Sequence, residues 1–181
     1  YRTSPEHKFP AATQDVAAVY RELLQRYQPQ DIGIYGCSTG ATLTATTIAW
    51  LQKEKLPRPG AIGLLCSGAT KDDVVAGDSY YIGLAAMGRK APLPGEPYPT
   101  QPYMREAAAN DPIAVPVSSL EVLSLFPPTL LISGTRDFAL SSVVYTDARL
   151  TKAGVETELH VWEGMWHAFH FEPELPESRE A

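Results

Sequence analysis

Cysteine is scarce in this chain, and the features that would send it to a membrane or to nucleic acid are missing. Among 181 residues there are two cysteines, Cys37 and Cys66. Their spacing matches no metal-binding cluster and no disulfide framework, and it points to a reducing, cytoplasmic compartment. No apolar run approaches the roughly 20 residues needed to cross a bilayer, and no signal peptide is visible. A formal net charge of −6 makes a polyanion such as nucleic acid an unsuitable partner. There is no internal repeat and no low-complexity tract. Histidine is nearly as scarce as cysteine: His7, His160, His167 and His170 are the whole supply, so an imidazole base must be one of four.

What remains is an ordinary globular composition, 44% hydrophobic and 20% charged, long enough for one domain with a real core. Val16, Val19, Tyr20, Leu23 and Tyr27 recur at helical spacing, which predicts a helix over 10–28 ended by Pro29. A short apolar strand follows at 31–35. A Thr-rich helix over about 38–55 must rely on burial of Ala41, Ala45, Ile48, Ala49 and Leu51, because Thr is a poor helix former. The run at 61–66 reads as a strand buried on both faces. Residues 67–112 carry five glycines and a proline cluster, and read as an excursion with short helices rather than bare loop. A strand at 129–133, a helix at 141–153, a strand at 156–162 and a short closing helix complete an α/β pattern with a mostly parallel sheet and helices on both faces. Right-handed crossovers then place the strand C-termini on one edge, where such sheets hold ligands.

The stretch Gly36-Cys37-Ser38-Thr39-Gly40 lies between strand and helix. A serine hydroxyl attacks a carbonyl only when a base removes its proton and the oxygen stands clear of the surface. A sharp strand-to-helix turn provides the second condition, and both flanking glycines are expected to be required because a side chain at either would collide with a neighbour. The next amide, Thr39 N–H, opens the helix and is placed to receive a developing oxyanion. In this arrangement the chain order is nucleophile, acid, histidine. His7 precedes the serine, and His160 falls inside a strand. His167 follows the last strand on the edge expected to hold Ser38, and His170 is expected on the closing helix. For the acid, Asp137 directly follows strand 129–133; Asp111 comes too early, Asp147 is mid-helix and Glu163 is too close in sequence to His167. Cys37 is expected to be a buried neighbour of the elbow.

With those residues placed, a resemblance emerges. "YRTSPEHKFPAATQDVAAVYREL", "NDPIAVP", "FPPTLLISGTRD" and "RLTKAGVETELHVWEGMWHAF" resemble, in order, blocks of the hormone-sensitive-lipase-like branch of α/β-hydrolases, the bacterial family IV carboxylesterases. The resemblance covers nearly the whole chain apart from 67–109, and it implies Ser38, Asp137 and His167 as a catalytic triad. Three departures stand out. Cys37 and Thr39 replace the usual Asp and Ala around the serine. Trp166 replaces a small residue or proline before the histidine. The His-Gly-Gly-Gly oxyanion loop, which lies upstream of the block matching residues 1–12, has no counterpart here. The chain is therefore expected to be the C-terminal part of a longer enzyme, with strand 31–35 meant to be central and presenting an unpaired apolar edge.

The resemblance implies hydrolysis of small, short-acyl esters through an acyl-enzyme on Ser38, with no metal or organic cofactor. A lactone hydrolase or amidase with the same triad, or a non-catalytic small-molecule receptor on the same fold, are the alternatives, and a homodimer is compatible with any of them. Phe138 and Trp166, beside triad members, and Tyr80, Tyr81, Ile82 and Met87, in the excursion, are the candidates for substrate contact.

Overall fold

A computed structural model of the chain describes residues 1–71, 77–92 and 102–181. Pro94, Gly95, Pro97 and Pro99 of the expected proline- and glycine-rich excursion lie outside the described residues. Among the described residues four parallel strands form one sheet in the order β1-β2-β3-β4: β1 Gly33–Cys37, β2 Ala61–Leu65, β3 Thr129–Arg136 and β4 Thr157–Trp166. The helices are α1 Ala11–Leu23, α2 Thr39–Lys53, α3 Asp78–Ala86, α4 Leu120–Ser124, α5 Leu140–Lys152 and α6 Pro176–Glu180. Among the described residues no helix is long and apolar enough to cross a membrane.

The helix α2 packs directly on the sheet. All five residues expected to anchor it, Ala41, Ala45, Ile48, Ala49 and Leu51, are buried. Four of its threonines, Thr42, Thr44, Thr46 and Thr47, are buried with them. Burial of a hydroxyl is tolerable when it finds a partner. Thr44 Oγ1 donates to Gly40 O four residues back at 2.9 Å, and Thr46 Oγ1 meets Thr13 Oγ1 of α1 at 3.1 Å. Small side chains thus let α1 approach α2 closely.

That approach corrects the expected face of α1. Val19 is 61% exposed and Tyr27 is 54% exposed, whereas Ala12, Thr13, Ala17 and Tyr20 are buried. Tyr20 of the expected stripe is buried and Leu23 packs against the core, but Val19 and Tyr27 leave it, and the small residues Ala12, Thr13 and Ala17 complete the buried face instead. The helix also stops at Leu23 instead of Gln28, and a 3-10 turn at Pro29–Asp31 leads into β1.

The strand β1 is an outer strand of the sheet, and Tyr35 on it is 79% exposed. The central strands β2 and β3 are the apolar runs, with Ile62, Leu64, Leu131 and Ile132 buried on their two faces. Both later strands run further than expected. In β4 the extension passes an irregularity, because Trp162 pairs with Gly134 and Trp166 with Arg136, four steps along β4 against two along β3. Gly164 (φ +74°) lies in the surplus, and its N–H donates to Thr135 Oγ1 at 2.7 Å. A bulge of this kind re-aims the end of a strand, and the end re-aimed here carries His167.

Candidate active site

The site is assembled at the C-terminal edge of the sheet. The first contributor is the corner between β1 and α2. Ser38 has φ 55° and ψ −124°, a conformation that costs a non-glycine residue about 1–3 kcal/mol and persists only where the surroundings enforce it. They do so from both sides. Ser38 N–H donates to Leu65 O at 2.8 Å, and Ser38 O accepts from Ala41 N–H at 2.9 Å. Gly36 is obligatory in this corner: a Cβ there would stand 2.2 Å from Gly40 O. Gly40 is not. A Cβ built on it meets no described atom within 4 Å, so the expectation that both glycines are sterically required is correct for one of them only. The tight approach is between the two glycine backbones, and only the Gly36 Cβ would point into it.

The second contributor is the turn after β3. Asp137 is fully buried, and its carboxylate accepts three hydrogen bonds: from Ser133 Oγ at 2.9 Å, from Ala139 N–H at 2.8 Å, and from the His167 ring at 2.8 Å. The third contributor is the turn after β4. His167 Nδ1 faces Asp137 Oδ1, and His167 Nε2 lies 2.8 Å from Ser38 Oγ. A carboxylate only accepts, so Nδ1 carries the proton and Nε2 is left to accept from the serine hydroxyl. Three side chains separated by up to 129 positions thus form one hydrogen-bonded line. Phe138 stacks beside the imidazole, ring centroids 4.3 Å apart at 31°.

The other carboxylates and histidines are elsewhere. Asp111 closes its own loop by accepting from Ile113 N–H at 2.9 Å. His160 is exposed and paired with Glu158. His170 lies on a 3-10 turn, Phe169–Phe171, rather than on the closing helix.

Of the residues expected to touch substrate, Tyr80 is buried, while Tyr81, Ile82, Met87 and Trp166 are exposed. The helix α3, which carries Tyr80, Tyr81 and Ile82, leans on the Asp137 turn: a Cβ at Gly83 would stand 2.4 Å from Phe138 N. A cavity of about 150 Å³ lies next to Thr39, walled by Thr39, Thr42 and Leu43 of α2 and by Lys71, Tyr103 and Met104 of the excursion. None of the six candidate contact residues lines it. Sequence reasoning passed over this wall, and it passed over Ser133 and the Ala139 amide, the two further donors that hold Asp137. A lone serine in a buried strand carries no signal of its partner.

The two cysteines also need correcting. Their spacing suggested no cluster, yet Cys37, Cys66 and a ring nitrogen of His170 all lie within 4.8 Å of one another. Cys37 ends β1 and Cys66 follows β2, so adjacent parallel strands deliver both thiols to the same edge. The Cys37 thiol is held well below the usual thiol range because Cys66 donates its S–H to it. Burial opposes the shift, and the neighbouring imidazole of His170 assists it. The Cys66 thiol is pushed up, by that same bond, by burial and by the charge of Asp137.

Comparison with known proteins places this geometry in a family. Residues 1–171 match the profile of the α/β-hydrolase fold. The chain belongs to that family. An acetyl-hydrolase from Streptomyces hygroscopicus is 30% identical over 195 aligned residues, covering 100% of this chain and 60% of the relative. An esterase from Acinetobacter venetianus is 27% identical, covering 100% of this chain and 59% of the relative. Among solved structures, esterase E25 superposes with a TM-score of 0.82 at 34% identity, over 99% of this chain and 54% of that one. An esterase from the bacterial hormone-sensitive lipase family superposes with a TM-score of 0.80 at 28% identity, over 99% and 60%. This α/β-hydrolase chain therefore spans about three-fifths of the length of the curated relatives it matches.

Proposed function

We propose that this chain carries the catalytic residues of a serine carboxylesterase that hydrolyses small esters with short acyl groups. The observation that carries the reading is the line Ser38 Oγ, His167 Nε2, His167 Nδ1, Asp137 Oδ1, with both contacts at 2.8 Å. In this reading His167 takes the Ser38 proton as the oxygen attacks the ester carbonyl, and Asp137 holds the imidazole in the tautomer that can accept. The Thr39 N–H, at the start of α2, donates to the oxyanion. His167 then returns the proton to the departing alcohol, and a water molecule repeats the sequence on the acyl-serine. The acetyl-hydrolase and esterase names of the relatives support the ester class, and the first of them supports a short acyl group. Phe138, stacked on the base, and Trp166, the residue before it in the chain, would border the leaving alcohol; the excursion would supply a further part of the pocket.

The test is covalent. Ser38→Ala in the complete protein should abolish labelling by a fluorophosphonate and turnover of p-nitrophenyl acetate, with an unchanged circular dichroism spectrum. Labelling at the unmodified rate would remove Ser38 from the mechanism.

A further inference from the structure

The proposed ester chemistry leaves unused a group of three soft ligands beside it. Cys37, Cys66 and His170 come from the end of β1, the residue after β2 and the turn beyond β4, and each offers one ligand atom within 4.8 Å of the others. The Cys66 Sγ to His170 Nδ1 distance is 3.9 Å. His170 Nε2 is buried and has no hydrogen-bond partner among the described residues, so no other polar group holds the ring in a competing position.

We propose that Cys37, Cys66 and His170 form a binding site for a thiophilic divalent cation such as zinc or cadmium. Metal–sulfur bonds of about 2.3 Å and metal–nitrogen bonds of about 2.0–2.1 Å set neighbouring ligand atoms about 3.5–3.8 Å apart on a tetrahedron. Ligand atoms within 4.8 Å of one another need to contract by at most about 1.3 Å to reach that. Two thiolates and an imidazole select borderline and soft cations over magnesium or calcium. The charge balances: each thiol gives up its proton on binding, and the two thiolates neutralise the two positive charges. The fourth position is left for water.

A second grouping shares Cys66. Cys66, Asp137 and His167 also lie within 4.8 Å of one another, but Asp137 and His167 are bonded to each other and to Ser38. A cation there would have to break those bonds, whereas the hydrogen bonds of Cys37, to Cys66 and His170, lie within the proposed site. The proposed site nevertheless sits close to the catalytic turn, since Cys66 Sγ also accepts from Ala168 N–H at 3.2 Å.

The experiment uses the complete protein, reduced, with both thiols counted free, titrated with cadmium and followed by the ultraviolet thiolate-to-cadmium charge-transfer band. The expected result is a band that saturates at one equivalent and disappears on adding EDTA. Cys37→Ser should lose half of it or more. His170→Ala should keep thiolate absorption and bind more weakly by over the ~10–100-fold that loss of an outer-shell partner costs. No band at one equivalent, a band unaltered in Cys37→Ser, or undiminished affinity in His170→Ala would each overturn the proposal. The readout is metal absorption, so it stands apart from whether Ser38 hydrolyses esters.

Discussion

Replacing Asp137 by Asn should be less damaging here than removal of the acid from a serine protease triad. In such a protease the Asn variant holds the wrong tautomer and loses about 10⁴ in kcat. The surroundings of Asp137 argue for a different outcome. Its Oδ1 accepts both from Ala139 N–H and from His167 Nδ1, and its Oδ2 accepts from Ser133 Oγ. An amide –NH2 cannot face the Ala139 N–H, because both are donors. It can face Ser133, whose hydroxyl is free to rotate and accept. The Asn carbonyl oxygen should therefore occupy the Oδ1 position and keep the His167 tautomer that accepts from Ser38. What is lost is the negative charge beside the imidazolium. Charge-assisted hydrogen bonds are worth about twice neutral ones, which leaves a deficit of about 1–2 kcal/mol in the transition state, or roughly 5- to 30-fold in kcat. Steady-state kinetics on p-nitrophenyl acetate reads the number, with fluorophosphonate labelling as a check that Ser38 remains reactive. A loss of 10⁴ or more would show that the amide turns its –NH2 to His167 despite Ala139. A loss under about twofold would show that Asp137 is not the acid that serves His167.

The remaining predictions concern its neighbours. Ser133→Ala should leave Asp137 with two of its three donors, lowering stability by about 1 kcal/mol and kcat several-fold, measured by thermal melts and kinetics; unchanged kcat would remove Ser133 from any positioning role. Gly36→Ala would force a Cβ to 2.2 Å from Gly40 O, so it should cost at least about 1–3 kcal/mol and most of the activity, while Gly40→Ala should be far milder; equal effects would contradict the corner geometry. Because the folded protein lowers the Cys37 pKa, its thiolate persists as pH falls below the ordinary thiol range. Alkylation by iodoacetamide should thus stay nearly level from pH 8 to pH 7, where an unperturbed thiol slows close to tenfold, and Cys66 should remain unlabelled; a tenfold fall at Cys37 would refute the shift.

Much of the site is legible in the sequence because its signals are local. A serine between two glycines at a strand-to-helix boundary, an aspartate just past a buried strand and a histidine just past the next strand are each defined within a few residues, and parallel connection carries all three to one edge. The five buried anchors of α2 are equally legible, since they depend only on helical period. The errors share another cause. The face α1 buries keeps Tyr20 of the expected stripe, but Val19 and Tyr27 give way to Thr13 and Ala17, whose small side chains let α2 approach. Which glycine of the elbow is obligatory depended on where each Cβ would point. The bulge in β4 and the Ser133 and Ala139 donors around Asp137 arise from pairings outside any motif. Cys37, Cys66 and His170 show the limit most plainly. Their spacing in the chain says nothing, because two strands and a distant turn meet only when the sheet is assembled, and it is that meeting which turns three unrelated side chains into one cluster of ligands.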